Sequence, residues 1–418
     1  MKGIAIALTL CCLLGSSAAF GQSRKYDLLI RGGHVIDPKN GIDRASDVAI
    51  ADGKIALVAA DIPGDAVTVV DARGLYVTPG IIDMHVHVFH GTEANGDYSN
   101  SFNALPPDGF TLRVGVTTVV DVGGAGWRNF VQFKEQVIDR ARTRVLALLN
   151  IVGSGMKGGP VEQNLADMDP KLTAMRARQF PELVVGVKLA HYDGHDWTPT
   201  DRAVEAGRLA NIPVMVDFGR AEPVLPLGDL LLKHFRPGDI LTHMYAHVGG
   251  RQPIVGASGK LEAFAVEARK RGIIFDVGHG GGSFLWRQAV PATEQGFWPD
   301  TISTDLHIGS MNAGMKDQLN VMSKMLNLGS PLKEVIRQST WAPAQAIRRE
   351  ALGHLSAGAA ADVALLRVRE GQFGFVDSGG NRRNGTQKLE CEMTVRAGRV
   401  VYDLNGLAAP DWTTSRPR

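Results

Sequence analysis

Two hydrophobic rhythms divide the chain. From Lys25 to about Gly80, apolar and polar residues alternate in short stretches broken by glycine. YDLLIRGGHVID is followed by DVAIADGKIALVAA, where Asp52-Gly53 marks a two-residue hairpin turn. The same texture returns near the other end in ADVALLRVREGQFGF and CEMTVRAGRVVYD. Neither end can build a core alone, so the two are expected to pair into one small β-sandwich. Between them, apolar runs of strand length lie near residues 81–87, 117–122, 144–151, 184–190, 213–218, 239–244, 273–277 and 301–305, recurring every 25 to 40 residues. Helical segments such as NFVQFKEQVIDRAR, TDRAVEAGRLA and KLEAFAVEARKRG separate them. SPLKEVIRQSTWAPAQAIRR follows the last run, with Ser330 as N-cap and Pro331 at the first helical position.

Apolar strands alternating with helices predict a parallel sheet, and eight of them close a barrel. The predicted fold class is therefore α/β: a (β/α)8 TIM-like barrel with a small β-sandwich built from the N- and C-terminal segments. The expected divisions are a leader at 1–21, the first part of the sandwich at 22–80, the barrel at 81–350, and the rest of the sandwich with a tail at 351–418.

Composition narrows the role. With 418 residues and 44% hydrophobic content the chain can bury a large core. A net charge of +2 without runs of like charge, and only 6% aromatics, argue against nucleic acid or an anionic membrane as the main partner. A small-molecule partner is expected instead, with homo-oligomerisation left open. The first residues combine Lys2, an apolar stretch from Ile4 to Leu14 and then small residues, the pattern of a secretory signal cleaved after Ala19-Phe20-Gly21. That stretch is too short to span a bilayer comfortably. Leu10 before Cys11 fits lipid attachment poorly. The expectation is an exported protein, periplasmic or secreted, without stable membrane insertion. Cys391 is then the sole cysteine of the mature chain, which excludes an intrachain disulfide.

The chemistry gathers at strand ends, where such barrels carry their functional side chains. The first barrel strand, IIDMHVHVFHG, ends in His85 and His87; a spacing of two puts both imidazoles on one face, suited to sharing a metal. The sixth ends in His243 and the eighth in Asp305. The fourth, VVGVKLA, ends in Lys188, an ammonium that burial would penalise. Burial favours the neutral amine. A neutral amine can add carbon dioxide, and the resulting carbamate could bridge two divalent cations.

VTPGIIDMHVHVF, VGVTTVVDVGGAG, GVKLA, GDILTHMY, FDVGHGGGSF and TISTDLH occur in this order. Through them the chain resembles the amidohydrolase superfamily, and within it the dihydroorotase-like, deacetylase-type metallohydrolases. The resemblance covers residues 25 to 405. It implies two divalent metal ions, usually zinc with manganese, cobalt or iron as alternatives, bridged by carbamylated Lys188. His85, His87 and Asp305 would serve the more buried metal and His243 the more exposed one. One position departs: Asp217, on the fifth barrel strand, stands where the family's pattern has histidine. Asp217 either ligates, favouring harder cations such as manganese, or orients water or substrate while the second metal is weak or absent.

The resemblance implies hydrolysis of an amide or ester bond by metal-activated water, with Asp305 as general base and then acid. The expected substrate is a small acylated amino or hydroxy acid, as for a deacetylase or aminoacylase. The alternatives are a cyclic amidase of the dihydroorotase or hydantoinase kind and, from another class, a non-catalytic structural homologue. Relatives that deaminate do without the bridging lysine. In the GHGGGSF stretch, His279 and the amide of Gly280 are candidates for touching substrate. That stretch also resembles the HGGG of serine esterases, but the chain has no G-x-S-x-G turn to supply the nucleophile. His247, His307, His90, Arg128 and Arg220 lie beyond strand ends, where sequence does not separate them from ordinary loop residues.

Overall fold

The computed structural model describes residues 25–91, 101 and 103–413. The expected leader, with its cleavage site, Cys11 and Cys12, lies outside the described residues.

Five strands open the described chain: β1 (Tyr26–Asp37), β2 (Ile42–Ala51), β3 (Lys54–Ala59), β4 (Ala66–Asp71) and β5 (Tyr76–Pro79). Seven parallel strands follow: β6 (Ile81–Val86), β7 (Val116–Gly126), β8 (Arg144–Asn150), β9 (Val184–Leu189), β10 (Val214–Val216), β11 (Ile240–Leu241) and β12 (Ile274–Phe275), hydrogen-bonded in chain order. The last three, β13 (Val363–Val376), β14 (Arg382–Arg396) and β15 (Arg399–Asp403), return to the first group. They complete an eight-stranded mixed sheet in the order β15-β14-β13-β5-β1-β2-β3, with β4 beside β1. The join between chain ends is β5 against β13, antiparallel from Val363 opposite Pro79 to Leu366 opposite Tyr76.

The eighth barrel strand expected at 301–305 is reduced to isolated bridges, Asp276 to Thr301 on one side and Val86 to Leu306 on the other. A side chain replaces part of its ladder. Buried Asp83 accepts from the Thr304 amide at 3.1 Å and from the Thr304 hydroxyl at 2.5 Å. Backbone bonds still close the cylinder on both sides. Asp305 N donates to His85 O at 2.7 Å and His87 N to Leu306 O at 2.9 Å, while Gly280 N donates to Thr304 O at 2.8 Å.

Inside the cylinder an apolar layer that includes Val120, Val122, Leu146, Leu148, Met215 and Ile240 forms the floor of the site. Paired residues of parallel strands share a face, and Lys188 is paired with Asn150 and Met215, so its side chain belongs to that interior. The larger core lies between the strands and the helices around them, and Phe130, Phe133, Leu230, Phe275 and Val335 all contribute to it.

The mixed sheet meets the opposite end of the barrel from the strand ends that carry the histidines. Asp362, just before β13, receives Arg144 at 2.5 Å from the start of β8 and Arg396 at 3.2 Å, and its carbonyl accepts from Gly80 N at 2.8 Å. Loss of one partner from such a half-buried charge cluster leaves the others uncompensated. Asp362→Ala should therefore lower stability by roughly 3 kcal/mol, read as an earlier denaturant midpoint with an unchanged slope. A midpoint equal to wild type would show that the cluster does not clamp the two parts.

Candidate metal centre

The site is built on a buried carboxylate. Asp276, next after β12, is fully enclosed and accepts from three hydroxyls: Thr242 at 2.9 Å, Thr301 at 2.7 Å and Ser303 at 2.7 Å. Burial pushes its pKa up, and the three hydroxyls work against that. Because the Thr242 hydroxyl donates to Asp276, its oxygen is left to accept from His85 Nδ1 at 2.8 Å. That fixes the His85 tautomer and turns Nε2 to the interior, where it is buried without a hydrogen-bond partner among the described residues. The same logic holds at His243: Nδ1 donates to Gly278 O at 2.5 Å, which leaves a lone pair on Nε2.

His87 is held from the other side. Asp121 accepts from the amides of Val88 at 2.7 Å and Phe89 at 3.3 Å and clamps the turn that leaves β6. His87 Nε2 lies 2.9 Å and His85 Nε2 3.4 Å from Asp305 Oδ1. One ligand atom from each of the three residues falls within 4.8 Å of the others, the only such group of three among the described residues. Burial, with the Lys188 charge and the neighbouring histidines, holds His85 well below the usual histidine range, so it is a neutral donor. Burial alone would raise the carboxyl of Asp305, but His87 and the other imidazoles hold it below its ordinary value.

Lys188 reaches the same chamber and is 1% exposed. Burial pushes its pKa down, against the pull of Asp217, Asp305 and Asp276. Its stem lies against Gly123, where a Cβ would come within 2.9 Å of Lys188 Cγ and 3.0 Å of its Cβ; glycine there makes room for the lysine.

Asp217 follows β10 beside two imidazoles and a guanidinium. Its Oδ2 is 3.6 Å from His243 Nε2 and 3.5 Å from His191 Nε2, and its Oδ1 is 3.5 Å from Arg251 Nη1. Burial would raise this carboxyl, yet His243, His191 and Lys188 hold it well below the usual range. Two of these neighbours were not singled out from sequence. His191 donates Nδ1–H to buried Glu162 at 2.7 Å, and burial, which lowers its pKa, is outweighed by Glu162 and Asp217. Arg251 is anchored through Nη2 to the carbonyls of Thr242 and His243, both at 3.0 Å. Glu162 lies 29 residues before His191, and no spacing rule joins them. Asp276 stands inside the FDVGHG motif, but it too was not singled out from sequence.

A cavity of about 540 Å³ opens over these groups, lined among others by His191, Asp217, Arg220, His243, Arg251, Asp305 and His307. His243 and Asp305, the strand-end residues, and His191 and Arg220, in the loops beyond, all have positive φ, 57°, 53°, 57° and 81°. Non-glycine residues held in that region carry backbone strain, which collects at functional sites. A second cavity of about 630 Å³, near Phe110, Lys316 and Lys388, holds none of these histidines.

His279 and Gly280 require a correction. His279 is fully buried, donates Nδ1–H to Gly280 O at 2.9 Å and accepts at Nε2 from Lys324 Nζ at 2.5 Å. Lys324 also donates to the carbonyls of Gly314 and Val376, and burial pushes its pKa down to about 7. The Gly280 amide is committed to Thr304 O. Neither residue faces the cavity with a free group, and the loop positions that do line it are Gly281, Gly282 and Ser283. His307 lines the cavity 3.8 Å from Asp305 Oδ2, whereas Arg128 is paired with Asp167 at 2.6 Å away from it.

No family model matches the chain. Whole proteins do. It is 32% identical over 352 residues to a deacetylase of Agrobacterium fabrum, covering 82% of this chain and 83% of that protein. It is 32% identical over 386 residues to a deacetylase of Enterococcus faecalis, covering 90% and 99%. Among solved structures, an adenine deaminase superposes with a TM-score of 0.80 at 31% identity, covering 90% of this chain and all (100%) of that one. A dihydroorotase superposes with a TM-score of 0.79 at 28% identity, covering 90% and 99%. Named relatives of three different activities share this barrel and much of its sequence, and what they have in common is the family rather than a substrate. The chain belongs to the amidohydrolase superfamily, in its deacetylase- and dihydroorotase-like branch of hydrolases.

Proposed function

We propose that the protein is a metal-dependent hydrolase that removes the acyl group from a small acylated amino or hydroxy acid. The observation that carries this reading is the unpartnered, tautomer-fixed His85 Nε2 beside His87 and Asp305 under an open cavity. Buried imidazole nitrogens without partners are costly unless a cation takes their lone pairs. The donor set therefore fits a divalent metal, with His85, His87 and Asp305 holding it. Lys188 as a carbamate, Asp217 and His243 would hold a second, and their mixed oxygen and nitrogen donors suit zinc or a harder ion such as manganese. Bound there, divalent cations supply Lewis acidity, which makes water acidic near neutral pH and polarises a carbonyl.

The chain's own residues do the rest. Asp305 Oδ1 faces the two imidazoles, and Asp305 as a whole lines the cavity. Its second oxygen can take a proton from the attacking water and return it to the leaving amine or alkoxide, so that one water is added across the acyl bond and the base is regenerated. His307, 3.8 Å from Oδ2, stands beside that transfer. Burial of Lys188 favours its neutral amine, the form open to carbon dioxide. The deacetylase relatives support acyl removal; the dihydroorotase likeness makes a cyclic amide the result that would redirect the reading.

Three variants test these roles. Lys188→Ala should lose metal and at least about a thousandfold in kcat/KM, the equivalent of ~4 kcal/mol, with partial rescue by short carboxylic acids. Full metal content in that variant would remove the carbamate from the account. Thr242→Val takes the acceptor from His85 Nδ1 and should weaken metal affinity about 10- to 100-fold, measured by competition with a chelator while the fold is retained. Asp217→His should tighten the second metal if Asp217 is a ligand; equal stoichiometry and affinity in both proteins would place Asp217 outside the coordination shell. Hydrolysis is assayed on N-acyl amino acids, acylated hydroxy acids and cyclic amides, and turnover confined to the cyclic amides would replace the deacylase reading.

A further inference from the structure

One wall of the cavity carries a charge that nothing among the described residues balances. Arg220 lies in the loop after β10, and its side chain makes no hydrogen bond or ion pair among the described residues although it lines the cavity. It is not a free loop residue, because two glycine contacts press its backbone against the loop after β11. Arg220 N donates to Gly250 O at 2.9 Å, and a Cβ on Gly250 would come within 2.6 Å of Arg220 Cα. A Cβ on Gly219 would in turn come within 3.0 Å of Arg251 Cβ. Both residues of the Gly-Arg pairs 219–220 and 250–251 are therefore packed as one unit, and Arg220 adopts φ 81° to fit it.

The other charges on this wall are accounted for. Arg251 is buried, tied by two carbonyls and paired with Asp217; His191 is paired with buried Glu162. On the opposite side Asp305 Oδ1 lies 2.9 Å from His87 Nε2 and 3.4 Å from His85 Nε2. What remains is one exposed guanidinium, held in a strained backbone at the rim of a chamber whose floor holds the reacting groups. A planar guanidinium with no internal partner is suited to a carboxylate, which it can meet with two parallel N–H bonds.

We infer that Arg220 receives a free carboxylate of the substrate and that Arg251 is a positioning residue holding its loop. This rests on the hydrolase reading and sharpens it: the preferred substrate is an acylated amino or hydroxy acid whose carboxyl is unesterified. Neutral amides and esters of the same compounds lose the contact while keeping the scissile bond.

The test separates binding from turnover. N-methylsulfonyl amino acids resist hydrolysis and are titrated calorimetrically into the metal-loaded holoenzyme, alongside their primary amides. Wild type should bind the acid at least roughly tenfold tighter than the amide, the usual scale for a charge-assisted hydrogen bond. In Arg220→Gln that preference should vanish, with the amide affinity and the metal content unchanged, and Arg220→Lys should restore part of it. With N-acetyl amino acids the same variant should raise KM for the acid and leave kcat near wild type. Equal affinity of wild type for acid and amide, or an equal loss of both in Arg220→Gln, overturns the assignment. Acid-selective binding without any turnover of N-acetyl acids would instead sink the hydrolase reading and leave the carboxylate site standing.

Discussion

The centre depends on one enclosed carboxylate. Asp276 is fully enclosed, and among the described residues no cationic side chain comes within hydrogen-bonding reach; it is made tolerable by three hydroxyl donors from neighbouring strand ends. An isolated buried carboxylate is among the most expensive groups a protein can hold. Here that cost does something local, because the Thr242 hydroxyl can face His85 only while its proton is given to Asp276. The orientation of an imidazole on the first barrel strand is therefore set by a carboxylate on the seventh. The short barrel strands near the site, some only two residues long, leave such side-chain bonds to do what ladders do elsewhere.

Much of this was legible in the sequence because it obeys short-range rules. The apolar runs gave the barrel, the H-x-H spacing placed His85 and His87 on one face, and the alternating texture of the two ends foretold the join of β5 and β13. What was not legible was relational. The eighth strand reads as apolar and regular, but Asp83, 221 residues earlier, takes its Thr304 amide and reduces it to bridges. His191 looks like loop material until the fold brings Glu162 to one nitrogen and Asp217 to the other. His279 shows the reverse: a histidine among glycines reads as an open substrate contact, whereas Lys324, 45 residues later, draws it into the core.

The aspartate at position 217 changes the electrostatics of the chamber. A neutral imidazole there would leave Arg251 as an uncompensated buried cation; a carboxylate gives it a partner at 3.5 Å and keeps the local charge near balance. The same carboxylate faces His191 and His243 on its other oxygen, so it already has three side-chain neighbours before any ion is considered. Those neighbours weaken the field a bound cation would feel from Asp217 alone. Asp217 and Arg251 thus form a charge pair in the wall of the chamber.

The antiparallel join of β5 and β13 has a consequence for biosynthesis. Val363 pairs with Pro79 across 283 intervening positions, so β5 has no permanent neighbour on that side until β13 has been made. An unpaired edge of that kind is open to misassociation while it waits. The barrel, whose neighbours are consecutive in the chain, can meanwhile assemble step by step. A chain cut short before β13 would therefore display a bare, sticky margin that quality control could recognise.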